Sequence, residues 1–262
     1  MAKSVLVDIT KCVGCGSCAV ACKLWNSLKW DQSKPVNGEK AETSAENWTV
    51  VRLHQVPKER EKVWRFTKQQ CLHCEEPACA SACFARAIVK TEQGPVIYRA
   101  SLCVGCRYCM LACPFEIPKY EWDKVFPQVH KCQMCPERIE NGESPACVAA
   151  CPTGALKYGE RSLLLQEARR CLSSNSNYIK HIYGEKEAGG TSWLYISDTD
   201  FAALGFRTGV TSRPLPDYTY SILKLTPAVA LGWGAVLTGL YAYNRRRKEI
   251  AGETKEKKRE KR

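Results

Sequence analysis

The sequence predicts an α+β fold: a cysteine-rich domain of short strands and helices, followed by one membrane-spanning helix near the C-terminus. Three observations point to it. Sixteen of the seventeen cysteines fall into four tight groups whose spacings are those of loops and single helical turns. Brief strand-like runs bounded by Gly, Pro and Asn separate the groups. Residues 225–243 carry no charge and run into Arg245-Arg246-Arg247-Lys248.

From the N-terminus, Val5, Val7 and Ile9 alternate as in a strand and lead into Cys12-x2-Cys15-x2-Cys18-x3-Cys22. Residues 31–66 form a polar, cysteine-free insertion with turn signals at Pro35 and Gly38 and a strand at Trp48-Thr49-Val50-Val51-Arg52-Leu53. The second group is Cys71-x2-Cys74-x4-Cys79-x3-Cys83. A hairpin is expected next, with residues 87–90 and 96–98 flanking Glu92-Gln93-Gly94-Pro95. The third group, Cys103-x2-Cys106-x2-Cys109-x3-Cys113, repeats the spacing of the first, and both begin Cys-Val-Gly-Cys. The fourth is Cys132-x2-Cys135-x11-Cys147-x3-Cys151. Residues 155–158 read as a strand, and Ser162 is placed to cap a helix over 163–172 with Leu164, Ala168 and Leu172 on one face. Residues 173–217 hold Ser/Asn and Gly-Gly turns and a strand at 193–196, and read as an extension packing on a partner. The expected division is a cysteine domain over 1–172, the extension over 173–217, a transmembrane helix over 218–244 and a basic tail over 245–262.

The spacing is that of cubane 4Fe–4S ligation, four clusters in all. Three thiolates from one tight loop wrap a cluster with backbone N–H groups facing its sulfurs, and the fourth cysteine, one helical turn on, points to a neighbouring cluster. Structural zinc also uses Cys-x2-Cys pairs, but closes four ligands on one ion and gives no reason for two copies of the x2-x2-x3 run. A disulfide scaffold spreads its cysteines through a short secreted chain, unlike the close spacing here. Cys171 stands outside the groups on the apolar helix face and reads as a small buried hydrophobe. His73, inside the second group, reads as a satisfied polar residue rather than a ligand, since that group already has four cysteines. His54, His130 and His181 are scattered, and no nucleophile–base grouping or phosphate loop is present, so no catalytic residue is assigned.

The formal charge is +12, of which residues 245–262 supply +6 from ten basic and four acidic residues. Each cubane with its thiolates carries about −2, so a loaded cysteine domain is near neutral or slightly acidic, and nucleic-acid binding is not expected. Tyr218 and Tyr220 precede the uncharged stretch and Tyr241 and Tyr243 end it, as interfacial aromatics do. Positive charge stays inside, so the tail is expected in the cytoplasm and the cysteine domain on the outer, periplasmic face of a single-pass cell-membrane protein. The start, Met1-Ala2-Lys3-Ser4, has neither an apolar signal region nor a twin arginine, so export together with a signal-bearing partner is expected.

In this order the four groups resemble the four-cluster ferredoxin-like subunits of molybdopterin oxidoreductases and uptake hydrogenases. Nearest are the iron–sulfur (beta) subunit of membrane-bound formate dehydrogenase and its counterpart in membrane-bound nickel–iron hydrogenase. The stretches that carry the likeness are Asn47-Trp48-Thr49-Val50-Val51-Arg52, Cys71-Leu72-His73-Cys74-Glu75-Glu76-Pro77, Pro145-Ala146-Cys147, Cys151-Pro152-Thr153-Gly154-Ala155 and Tyr183-Gly184-Glu185-Lys186-Glu187-Ala188-Gly189-Gly190-Thr191. The resemblance implies two pseudo-symmetric ferredoxin-like modules, each with two clusters. It implies one cluster on Cys12, Cys15, Cys18 and Cys151, and its neighbour on Cys132, Cys135, Cys147 and Cys22. A third falls on Cys71, Cys74, Cys79 and Cys113, and a fourth on Cys103, Cys106, Cys109 and Cys83. Phe84 departs from the family's pattern, where proline commonly follows the last cysteine of the second group. The implied role is electron transfer from a molybdopterin catalytic subunit, or a nickel–iron one, to a membrane cytochrome b and quinone. A membrane-tethered metal-binding module without redox work is the alternative from a different class.

Overall fold

In the computed structural model, which describes residues 2–58 and 61–260, the order of elements is β1 (Lys3–Asp8), α1 (Ser17–Trp25), β2 (Asn37–Gly38), β3 (Val50–Lys58), β4 (Glu61–Gln69), α2 (Ala78–Ser81), β5 (Ile88–Lys90), β6 (Val96–Tyr98), α3 (Tyr108–Ala112), β7 (Lys119–Tyr120), β8 (Val129–His130), α4 (Pro136–Glu140), α5 (Ala146–Ala149), β9 (Leu156–Glu160), α6 (Arg161–Ser174), β10 (Trp193–Ile196), α7 (Leu215–Leu223) and α8 (Thr226–Glu260). Met1, residues 59–60 of the insertion and the last two residues of the expected basic tail, 261–262, lie outside the described residues. The chain divides into two units, Met1–Pro216 and Asp217–Arg262.

The first unit is organised around β1, which pairs parallel to β10 and antiparallel to β9. Side chains alternate across a strand, so β1 and β10 serve two layers at once. Val5, Val7, Trp193 and Tyr195 face the cysteine-bearing body, while Leu6, Leu194 and Ile196 face Leu164 and Ala168 of α6. All four residues of β10 are buried, as expected of a parallel strand covered on both faces. Behind it Tyr183, Tyr195, Phe201 and Phe206 stack edge to face, with Phe206 4.8 Å from Tyr183 and 4.9 Å from Tyr195. Burying each such ring contributes roughly 1.5–3 kcal/mol.

That arrangement corrects the expected boundary at 172. The segment over 173–217 supplies a sheet strand and the largest buried rings of the first unit, so it is part of this chain's own core and the unit runs on to Pro216. A strand apolar on both faces has no stable place on a surface.

The insertion folds back onto the first cysteine group. Its expected strand at 48–53 is β3, longer than anticipated, and it pairs antiparallel to β4, which the sequence reading passed over. The signal was present in the aromatic alternation Trp64-Arg65-Phe66. Phe66 covers the first loop, the Asn37 side chain donates to the Gly14 carbonyl at 2.6 Å, and buried Lys23 of α1 donates to the carbonyls of Lys29 (2.6 Å) and Glu46 (3.0 Å). The β5–β6 hairpin forms as expected. Ser162 is not a helix cap: β9 runs directly into α6, whose N-cap is Glu160 with no side-chain hydrogen bond. Arg161 instead donates to the carbonyls of Thr191 (3.0 Å) and Glu185 (3.1 Å).

In the second unit, a helical stretch over Leu215–Ala251 is long and apolar enough to cross a membrane. Leu231, Trp233, Val236, Leu237 and Leu240 are exposed along it, and Thr238 satisfies its hydroxyl by donating to the Gly234 carbonyl at 2.8 Å.

Gly184 locks the turn that feeds β10. Its φ is +93°, and an added Cβ would stand 2.3 Å from the Trp193 carbonyl oxygen and 2.5 Å from the Thr191 hydroxyl. Gly184→Ala is expected to lower the apparent melting temperature by at least about 5 °C, measured by thermal unfolding under anaerobic conditions.

Candidate metal centres

The four cysteine loops share one backbone device. The residue ahead of the second cysteine is left-handed in every group: Gly14 (φ +70°), His73 (+50°), Gly105 (+71°) and Met134 (+62°). In this turn the residue's own amide faces the first sulfur: Gly105 N–H donates to Cys103 Sγ at 3.4 Å and Met134 N–H to Cys132 Sγ at 3.4 Å. Glycine adopts the turn freely, whereas His73 and Met134 hold it at a cost of about 1–3 kcal/mol and are kept there by packing. His73 is fully buried, and its Nδ1 accepts the Val96 amide at 2.8 Å, tying the second loop to β6. The expected satisfied histidine is therefore satisfied at Nδ1 alone: its buried Nε2 has no hydrogen-bond partner among the described residues. The other histidines pair locally, His54 with the Thr67 hydroxyl (2.9 Å), His130 with Glu121 (3.0 Å) and His181 with Glu187 (2.8 Å).

A second device follows the last cysteine of the third and fourth groups. Pro114 and Pro152 turn the chain back, so that the amides of Phe115, Glu116 and Ile117 face Cys113 and those of Thr153, Ala155 and Leu156 face Cys151. Burial raises the Cys151 pKa, but those amides and the Thr153 hydroxyl outweigh it, and the thiol lies below its ordinary value.

The sulfurs collect in four sets. Cys12, Cys15, Cys18 and Cys151 line one cavity with Val7, Lys68 and Leu156, and Cys83, Cys103, Cys106 and Cys109 line another with Tyr98 and Val129. Burial first, and then Cys147 and Cys22 alongside, raise the Cys135 thiol to about 11. Cys132 is raised far above its usual value by burial and by Cys22. Cys74 is raised likewise by burial, then by Cys71, Cys113 and Cys79. Cys109 reaches about 11 through burial and through Cys103, Cys106 and Cys83. Cys147 acts on Cys18 of the first set, Cys71 on Cys132 of the second, and Cys109 on Cys79 of the third.

This donor set fits 4Fe–4S clusters. Cys18 and Cys79 are pushed up to about 12, chiefly by burial, so a bare thiol there keeps its proton at neutral pH. Iron supplies the positive charge that lets such sulfurs bind as thiolates. Among the described residues no three Cys, His, Asp or Glu side chains close on a point fit for a single ion. Cys171 lies apart, packed against Leu164, Ile182 and Leu194. Lys68, which the spacing of cysteines gave no means to find, is buried in the wall of the first cavity.

Two family models described as 4Fe-4S dicluster domains match residues 11–87 and 62–161. A protein of Nitratidesulfovibrio vulgaris is 43% identical over 95% of this chain and 68% of its own length. The nitrate-inducible formate dehydrogenase iron-sulfur subunit of Escherichia coli is 34% identical over 90% of this chain and 82% of its own. The hydrogenase-2 operon protein HybA of Escherichia coli is 32% identical over 87% and 81%.

Cys171→Ala is expected to leave iron and sulfide content at the wild-type level and to cost about 1 kcal/mol in stability, read by metal analysis and denaturant unfolding.

Proposed function

Since the chain belongs to the iron–sulfur electron-transfer subunits of formate dehydrogenase- and hydrogenase-type complexes, we propose that it passes electrons through four 4Fe–4S clusters from a molybdenum- or tungsten-pterin formate dehydrogenase catalytic subunit to a membrane cytochrome b and quinone. What supports this reading is the four cysteine groups, of which two cavities gather Cys12, Cys15, Cys18 and Cys151 and Cys83, Cys103, Cys106 and Cys109. A 4Fe–4S cluster, when bound, accepts and releases one electron at a time.

The chain's own residues account for the spacing. Cys18 and Cys22 sit one turn apart on α1, so a single rigid helix holds adjacent sites at a fixed separation. Cys147 lies on α5, which packs on α1, with Cys151 just past the helix end, and Cys79 lies on α2 with Cys83 just past its end, beside Cys109 on α3 and Cys113 at the α3 C-cap. The ligand sets are Cys12, Cys15, Cys18 and Cys151, then Cys22, Cys132, Cys135 and Cys147. The remaining two are Cys71, Cys74, Cys79 and Cys113, then Cys83, Cys103, Cys106 and Cys109. They form two pseudo-symmetric pairs. The apolar helix anchors the chain with its basic tail in the cytoplasm and the cysteine domain on the periplasmic face.

The likeness to HybA favours a second reading, the same role beside a nickel–iron hydrogenase. Anaerobically purified complex is expected to hold about sixteen iron and sixteen sulfide per chain, with molybdenum or tungsten rather than nickel in the co-purified partner. Iron below about half that value with zinc in its place would sink the electron-transfer reading. Cys151→Ser is expected to remove the EPR signal of one cluster and leave the others. In intact spheroplasts, external protease is expected to cleave the cysteine domain and spare an epitope on the C-terminal tail; full protection of the domain reverses the orientation.

A further inference from the structure

Lys68 is only 2% exposed, and among the described residues no carboxylate lies within ion-pair distance of its ammonium group. Its Nζ donates to Gln70 Oε1 at 2.9 Å, stands 3.5 Å from the Thr49 hydroxyl and lies 4.2 Å from the centre of the Trp193 ring. Gln70 is held in turn by Tyr195, whose hydroxyl accepts from Gln70 Nε2 at 2.6 Å and donates to the Lys68 carbonyl at 3.1 Å. The ammonium is thus fixed by neutral partners. A buried cation with only neutral neighbours is costly, by several kcal/mol, unless negative charge lies close by. The negative charge available is sulfur. Lys68 lines the cavity of Cys12, Cys15, Cys18 and Cys151, and its charge also reaches Cys22, Cys132 and Cys147. Buried Lys131 differs, since its ammonium is clamped by the carbonyls of Val96 and Cys132.

We propose that Lys68 is a positioning residue for electron transfer, a permanent positive charge set between the first two cysteine sets that raises the reduction potentials of both clusters they hold. Each one-electron reduction adds one negative charge to a cluster and its thiolates. A fixed cation stabilises the reduced form more than the oxidised one, and more so in a poorly hydrated interior. The inference rests on the cluster reading above, and the experiment separates the two.

The test is an EPR-monitored potentiometric titration of the complete complex, with iron and sulfide analysis of the same samples. Lys68→Met removes the charge and keeps most of the volume. Gln70→Glu keeps Lys68 and places a carboxylate where Gln70 Oε1 stands, cancelling the charge in place. In both variants the two clusters flanking Lys68 are expected to become harder to reduce, by about tenfold in the reduced-to-oxidised ratio at a fixed potential, or about 59 mV. In Lys68→Met the two distant clusters move less, and Lys68→Arg keeps the flanking potentials near wild type. If Lys68→Met fails to load clusters, Gln70→Glu decides. Full iron and sulfide with unchanged flanking potentials in the loaded variants overturns the role of Lys68. Wild-type complex without iron and sulfide overturns the cluster reading instead.

Discussion

Sulfur that must bind as thiolate in a water-poor interior is the constraint around which this chain is arranged. Burial pushes thiols such as Cys18 and Cys79 far from ionising on their own, so the fold has to bring compensating charge and dipoles to them. It does so with backbone. The left-handed residue turns its amide toward the first sulfur in the first, third and fourth loops, and a proline after Cys113 and Cys151 turns three more toward the last. Amides are fixed dipoles, so they hold the sulfur's charge without a mobile counter-ion. The loops tolerate different residues at the strained position because packing, not side-chain type, keeps them there: Phe66 lies against Gly14, and the Val96 amide engages His73.

The remainder of the first unit keeps those loops still. Strand β1 delivers the first loop directly, through Asp8, whose carboxylate accepts from the Thr10 amide (3.1 Å) and hydroxyl (2.6 Å) and from the Tyr178 hydroxyl (3.0 Å) just ahead of Cys12. Strand β10 closes the sheet on one side, and the aromatic cluster behind it fills the space between sheet and loops. Arg65 of β4 reaches Asp198 with two hydrogen bonds, at 2.8 and 2.5 Å, which pins the insertion to the end of β10. Insertion and C-terminal segment therefore act as one brace, although 133 residues separate the two partners in the sequence.

Electrostatics divide along the same lines. The +6 carried by residues 245–262 follows the apolar helix in the sequence. The cations that matter to the sulfurs are few and buried. Lys23 and Lys131 donate to backbone carbonyls, whereas Lys68 is held by a neutral side chain, Gln70. Net charge says nothing of this, since it counts residues and not depth.

Local spacing was enough to read the cysteine groups, the type of cofactor, the β5–β6 hairpin and the apolar helix. Each depends on residues close together in the chain, where the periods of loops, strands and helices are short-range geometry. The partner of the 48–53 strand, the burial of the 173–217 segment and the place of Lys68 were not legible. A polar-looking segment such as 173–217 gains its meaning from the sheet it joins, and β10 is apolar on both faces only because α6 and the aromatic cluster come to cover it. Lys68 looks like any strand lysine until β4, β10 and two cysteine loops converge on it from separate stretches of the chain. What a residue neighbours across long sequence distances is settled by packing, and one chain read alone carries no record of it.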